Sequence, residues 1–204
     1  GIGGAAEIRW NVTAIHDAPP SVAFTDVITA DAMGEMAQPF SAADDYGVVS
    51  GTATISLDLG AVDRAYGLLA EPDPIAPLVL DLPMPFTGDR AAFDALLVDN
   101  LSEHPLANLP VSIRLSVTDA AGQTAGTDAQ PVILPGRRFF QPVARAVIEQ
   151  RRDLMWAQAN ARRVGLVLRA ISHRPEDLLN DQTPYLRLRA VIARLDGMAR
   201  NGVT

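Results

Sequence analysis

Residues 109–119, "LPVSIRLSVTD", alternate strictly: Val111, Ile113, Leu115 and Val117 share one parity, Ser112, Arg114 and Ser116 the other. A period of two suits a strand with one face in a core and the other near water, and it does not suit a helix. The pattern recurs. "GTATISLDLG" sets Ala53, Ile55, Leu57 and Leu59 on one face, "SVAFTDV" does the same with Val22 and Phe24, and "AQPVILPG" closes the series. The clusters "DAPP", "DDYG", "EPDP" and "DAAGQ" separate the runs, and their Asp, Gly and Pro are turn formers. Short alternating strands with regular turns predict an antiparallel β-sandwich of immunoglobulin-like type over residues 19–136. One stretch departs from the pattern. "GDRAAFDALLVDNL" has Phe93, Leu96, Leu97 and Leu101 at helical spacing, which predicts a short helix crossing between sheets.

At Pro135-Gly136 the composition changes. Residues 1–136 hold 4 Arg against 18 Asp and Glu, whereas residues 137–204 hold 13 Arg against 6. All 17 basic residues are arginines. The period lengthens at the same place, which predicts a domain boundary and an α-helical hairpin over 137–204. In 141–172, Val147, Leu154, Ala161 and Leu168 recur every seven residues, as do Val143, Gln150, Ala157, Val164 and Ile171. That spacing predicts one helix, about 48 Å long, with a coiled-coil-like seam in which Gln150 is the one polar member. Trp156 is expected at the seam's edge. "SHRPEDLLND" breaks the helix at Pro175, and Thr183-Pro184 opens a second one carrying Leu188, Val191, Leu195 and Met198 on one stripe. The shorter helix covers only part of the seam. Val143, Val147, Leu154, Ala161, Val164 and Leu168 are therefore expected to form a contact surface for a protein partner or a second copy. The arginines read as a solvated helix face, since an attached acidic domain opposes nucleic acid.

Most reactions find no support in the sequence. There is no cysteine, so thiolate metal sites and cysteine nucleophiles are excluded. His16, His104 and His173 lack metal-ligand spacing, and His104-Pro105 reads as shaping the entry to the next strand. "GIGGAA" lacks the phosphate-loop form, and no G-x-S-x-G occurs. The expectation is a non-enzymatic chain without a cofactor. "ADDYGV" and "VTDAAGQ" bring Asp44, Asp45 and Asp119 to one pole of a sandwich, with Asp17 entering beside them. Turn chemistry and solvated acid explain them; a Ca²⁺ site, which wants six to eight oxygens, is the alternative. "AEIRWNVTAIHDAPP" reads as a strand and linker left from a preceding domain over residues 1–18, with Trp10 expected to pack on this chain or a neighbouring copy. A start without methionine suggests a piece of a longer protein.

The order "DDYGV", then "LSEHPLANLPVSIRLSVTDAAGQT", then "LPGRRFFQPVARAVIEQRRDL" resembles the domain of unknown function 4175 family of bacterial inner-membrane proteins. Where that pattern often has tryptophan after His-Pro, Leu106 stands here. The resemblance implies transmembrane helices in the parent and a large periplasmic region with long helical segments, of which this chain would be part. It implies no activity and no catalytic residue. The expected role is structural or protein-binding work in the cell envelope, in the periplasm, tethered to the inner membrane, with membrane contact only through the parent's transmembrane segments.

Overall fold

The structure, a computed structural model, describes residue 10 and residues 16–62, 72–173 and 182–201. Its strands are β1 (Ser21–Phe24), β2 (Thr29–Ala30), β3 (Glu35–Ala43), β4 (Val48–Leu57), β5 (Leu78–Asp81), β6 (Ala92–Asn100), β7 (Pro110–Asp119), β8 (Thr124–Gly126) and β9 (Gln130–Ile133). The helices are α1 (Pro142–Trp156), α2 (Ala161–Ile171) and α3 (Gln182–Asn201).

Every strand pairing is antiparallel, in two sheets with a sandwich-like core between them. In the first sheet β3 lies between β6 on one side and β1 and β2 on the other. The second runs β5-β4-β7, with β8 and β9 sharing the far edge of β7. Met36, Phe40 and Leu97 of the first sheet face Ala53, Ile55, Val111, Ile113, Leu115 and Val117 of the second, all buried. Full burial of each larger side chain is worth about 1.5–3 kcal/mol, so the alternation read in 109–119 is what holds the layers together. In β4 the register slips between Val48 and Ser50. That bulge returns Val48 to the core although its parity opposes that of Ala53 and Ile55. Pro39 sits inside β3 without a ladder N–H, in the gap between β1 and β2, where its carbonyl accepts from the Thr25 amide and the Gln38 side chain.

Several expectations need correction. The stretch "GDRAAFDALLVDNL" is not a helix: residues 92–100 form β6, paired along its whole length with β3. Leu97 is buried and Phe93 half-buried, while Leu96 is 47% exposed on the outer face. Nor do residues 141–172 form one rod. α1 ends at Trp156, Ala157 is extended at φ −154°, and a 3-10 turn at Gln158–Asn160 leads into α2. Arg163 then lies 3.6 Å from Asp153, a pair that a straight helix would hold about 15 Å apart. α2 therefore folds back on α1. The cause is distant in sequence: the Asp73 amide donates to the Trp156 carbonyl at 2.8 Å, and the Asp73 carboxylate accepts from the Gln158 amide at 2.7 Å.

The seam consequently has a different destiny. Ala161, Val164 and Leu168 are buried against Ile192 and Leu195 of α3, with Val147, Leu154, Ile171 and Leu188 half-buried around them, and Val143 is also half-buried. As an outward contact surface the first three are unavailable, because the chain's own α3 covers them. On α3 the inward stripe is the half-buried Leu188 with the buried Ile192 and Leu195, while Val191 and Met198 stay exposed beside it. Trp156 is not at the seam's edge but in the sandwich core, 2% exposed, together with Ala157. Trp10 is 84% exposed and does not pack on the described residues of this chain. The expected upstream strand and the break at Pro175 lie outside the described residues, save Trp10 itself.

Candidate functional site

Two places concentrate chemistry. At the acidic pole, Asp44 follows β3 and Asp119 ends β7. Asp44 accepts from the Tyr46 amide, and Gly47, at φ +98°, receives the turn. Asp119 accepts from the Gln123 amide at 2.7 Å, with Gly122 at φ +83°. Both motifs are turns in which an aspartate satisfies local N–H groups and glycine takes the left-handed conformation. Asp17 is drawn in through the Gln123 side-chain amide, 3.1 Å from its carboxylate.

The pole is less solvated than the sequence suggested. Asp44 and Asp119 are buried at 6% and 4% exposure, Asp17 is half-buried and Asp45 exposed. One oxygen each of Asp17, Asp44 and Asp119 is buried without a hydrogen-bond partner. Burial raises the Asp17 carboxyl above the usual carboxylate value; Gln123 opposes this, and the charges of Asp45, Asp119 and Asp44 add to the rise. Among the described residues no three His, Asp or Glu side chains are arranged to hold a metal ion.

The second place is a cavity of about 470 Å³ between the sandwich and α1. Its walls are the loop after β6, the linker 137–140 and one face of α1. The linker is not loose. Leu134 is fully buried and its amide donates to Leu109, while its carbonyl accepts from Asn108, which takes φ +62°. A Cβ on Gly136 would lie 2.4 Å from the Asn108 side-chain amide, so a larger residue there requires the Asn108 side chain to shift. Arg137, Arg138, Arg145, Arg151 and Arg152 line the cavity, and Glu149 is the sole carboxylate among its lining residues. Arg137 stacks on Phe139, its guanidinium 5.6 Å from the ring centroid. Arg151 donates to the Glu103 carbonyl. The Arg152 Nε is buried without an acceptor. His104 shapes the loop as expected, its Nδ1 accepting from the Leu106 amide. Burial, then the Arg151 charge, lowers the His104 pKa, in keeping with a neutral ring whose Nδ1 is an acceptor.

Sequence reading assigned these arginines to a solvated helix face and missed the cavity. The run "GRRFF" followed by Arg145, Arg151 and Arg152 was the available signal, but only the docking of α1 on the 102–108 loop turns it into a concave surface. Among the described residues no helix is long and apolar enough to cross a membrane.

A two-layer antiparallel β domain with a fastened helical segment defines a class, the β-sandwich-like domains with a helical appendage. Residues 2–202 match the model of a family described as "Domain of unknown function (DUF4175)", and the chain belongs to that family. A comparison with curated proteins finds no match.

Proposed function

We propose that the chain is a non-enzymatic, protein-contacting region of a membrane-anchored bacterial envelope protein, held in the periplasm by the parent's inner-membrane helices. The compartment rests on the family resemblance set out above. In this reading residues 19–136 are an immunoglobulin-like sandwich acting as a spacer, and residues 137–204 present the contact. The observation that carries it is the flank of α3. Val191 and Met198, seven residues apart, are 44% and 37% exposed beside the half-buried Leu188 and the buried Ile192 and Leu195. Two apolar side chains one heptad apart continue a packed stripe outward, and a further helix or a second copy would cover them. Val191→Asp with Met198→Asp should abolish association while leaving the fold intact, because both positions face outward. Sedimentation of the full chain at rising concentration reads this out; a mass that stays monomeric before and after the change rules out self-contact through this flank, and capture by the parent's remaining helices tests the other partner.

A second reading is favoured by the pole. One buried oxygen on each of Asp17, Asp44 and Asp119 has no hydrogen-bond partner, a destabilising feature that a cation would relieve if the loops drew these carboxylates, not grouped as a metal site here, closer together. A Ca²⁺-dependent adhesion or sensor module would use Asp17, Asp44, Asp45 and Asp119. In that case millimolar Ca²⁺ raises the melting temperature, by linkage of the ion to the folded state, and Asp44→Asn abolishes the rise. A melting curve indifferent to Ca²⁺ leaves the first reading alone.

A further inference from the structure

We propose that the arginine-lined cavity between the sandwich and α1 is a binding site for a phosphate-bearing ligand. The argument begins with charge. Five arginines line a space of about 470 Å³, three of them (Arg137, Arg138 and Arg145) exposed, and Glu149 is the only carboxylate among the lining residues. The ion pairs Arg163–Asp153 and Arg169–Asp196 lie elsewhere. Like charges confined around a small concavity repel, and a multiply charged anion removes that repulsion.

Donor chemistry points the same way. Guanidinium presents a planar fork that matches phosphate oxygens, and every basic residue of this chain is arginine. Arg151 and Arg137 are partly engaged, by a carbonyl and by a ring, so their positions are set. The buried Arg152 Nε still carries a proton with no acceptor. The arginines come from the linker and from α1, so they approach the space from different directions. A tetrahedral phosphate can accept from several sides at once, whereas a single carboxylate is filled by about two forks. The strongly acidic residues 1–136 disfavour a long nucleic acid and leave a small phosphate ester or a lipid headgroup. Phe140, 87% exposed at the rim, suits the apolar part of either.

The test uses the whole chain at low ionic strength. Titration calorimetry with inorganic pyrophosphate is expected to show one saturable site. Arg138→Gln with Arg145→Gln should weaken it by about tenfold or more, the loss expected for charge-assisted hydrogen bonds. The far-ultraviolet circular dichroism should not change. Arg187→Gln with Arg194→Gln, on exposed positions of α3 away from the cavity, should leave the affinity as it was. A second arm separates the sources. Cosedimentation with phosphatidylglycerol vesicles but not phosphatidylcholine vesicles, competed by pyrophosphate, assigns the site to a headgroup; pyrophosphate binding without vesicle binding assigns it to a soluble ester. The proposal is overturned if neither probe binds, if both pairs of substitutions weaken binding equally, or if vesicle binding ignores pyrophosphate and the Arg138 and Arg145 changes.

Discussion

Trp156→Ala is expected to lower the stability of the chain by about 3–5 kcal/mol, the usual loss when a large aromatic leaves a core without replacement. Trp156 is the last residue of α1, yet its ring is among the fully buried side chains and belongs to the same core cluster as sheet residues such as Ile113 and Leu115. Its backbone carbonyl is simultaneously held by Asp73. Removing the ring should therefore undock the helices as well as leave a cavity. Urea unfolding followed by circular dichroism would show a lower midpoint and separate transitions for strand and helix signals. A loss below about 1 kcal/mol, within the range of ordinary surface substitutions and mild core changes, would mean that the helices are fastened elsewhere.

Gly34→Ala should be nearly as damaging. Gly34 lies in the turn before β3 at φ +85°, where an added side chain is strained by roughly 1 kcal/mol. Here the Cβ would also fall 2.7 Å from the Arg137 amide nitrogen and the Gly136 carbonyl carbon, and 2.8 Å from Ser102 Cβ. Two of those atoms are backbone, so the linker itself must move. The total is expected at about 2–4 kcal/mol, the range of strain plus overpacking. Gly122→Ala supplies the comparison, because Gly122 has φ +83° and nothing within 4 Å of its would-be Cβ. If both substitutions lower the denaturation midpoint equally, the linker contact contributes nothing.

Much of the β layer was legible because its signal is local. Val111 to Val117 alternate, and a buried face imposes that alternation whatever the partner strands are. β6 was misread for a specific reason. Phe93, Leu97 and Leu101 are spaced by four, which satisfies one helix face and one strand face equally; Leu96 tipped the reading to helix, and it proves to be an exposed residue on the outer face. The break after Trp156 was not legible at all. The heptad pattern runs through Ala157 and Ala161 undisturbed, and the chain turns only because Asp73, more than eighty positions earlier, takes both the carbonyl and the amide at the turn. The turn residues at the acidic pole were found by their chemistry, but their burial was not, since it depends on which loops come together over them. For the arginine cavity the residue types were visible and the concavity was not.

The walls of that cavity belong to the 102–108 loop, the linker and α1, and they adjoin only while the linker lies against Gly34 and Trp156 stays in the sandwich. Filling the cavity and attaching the helices are thus two readings of a single equilibrium. Any occupant that contacts all three segments would share in the free energy of attachment, and by reciprocity a pull that peeled α1 from the sheets would lower the occupant's affinity by the same factor. In the spacer role proposed above, that coupling would report mechanical load as ligand release.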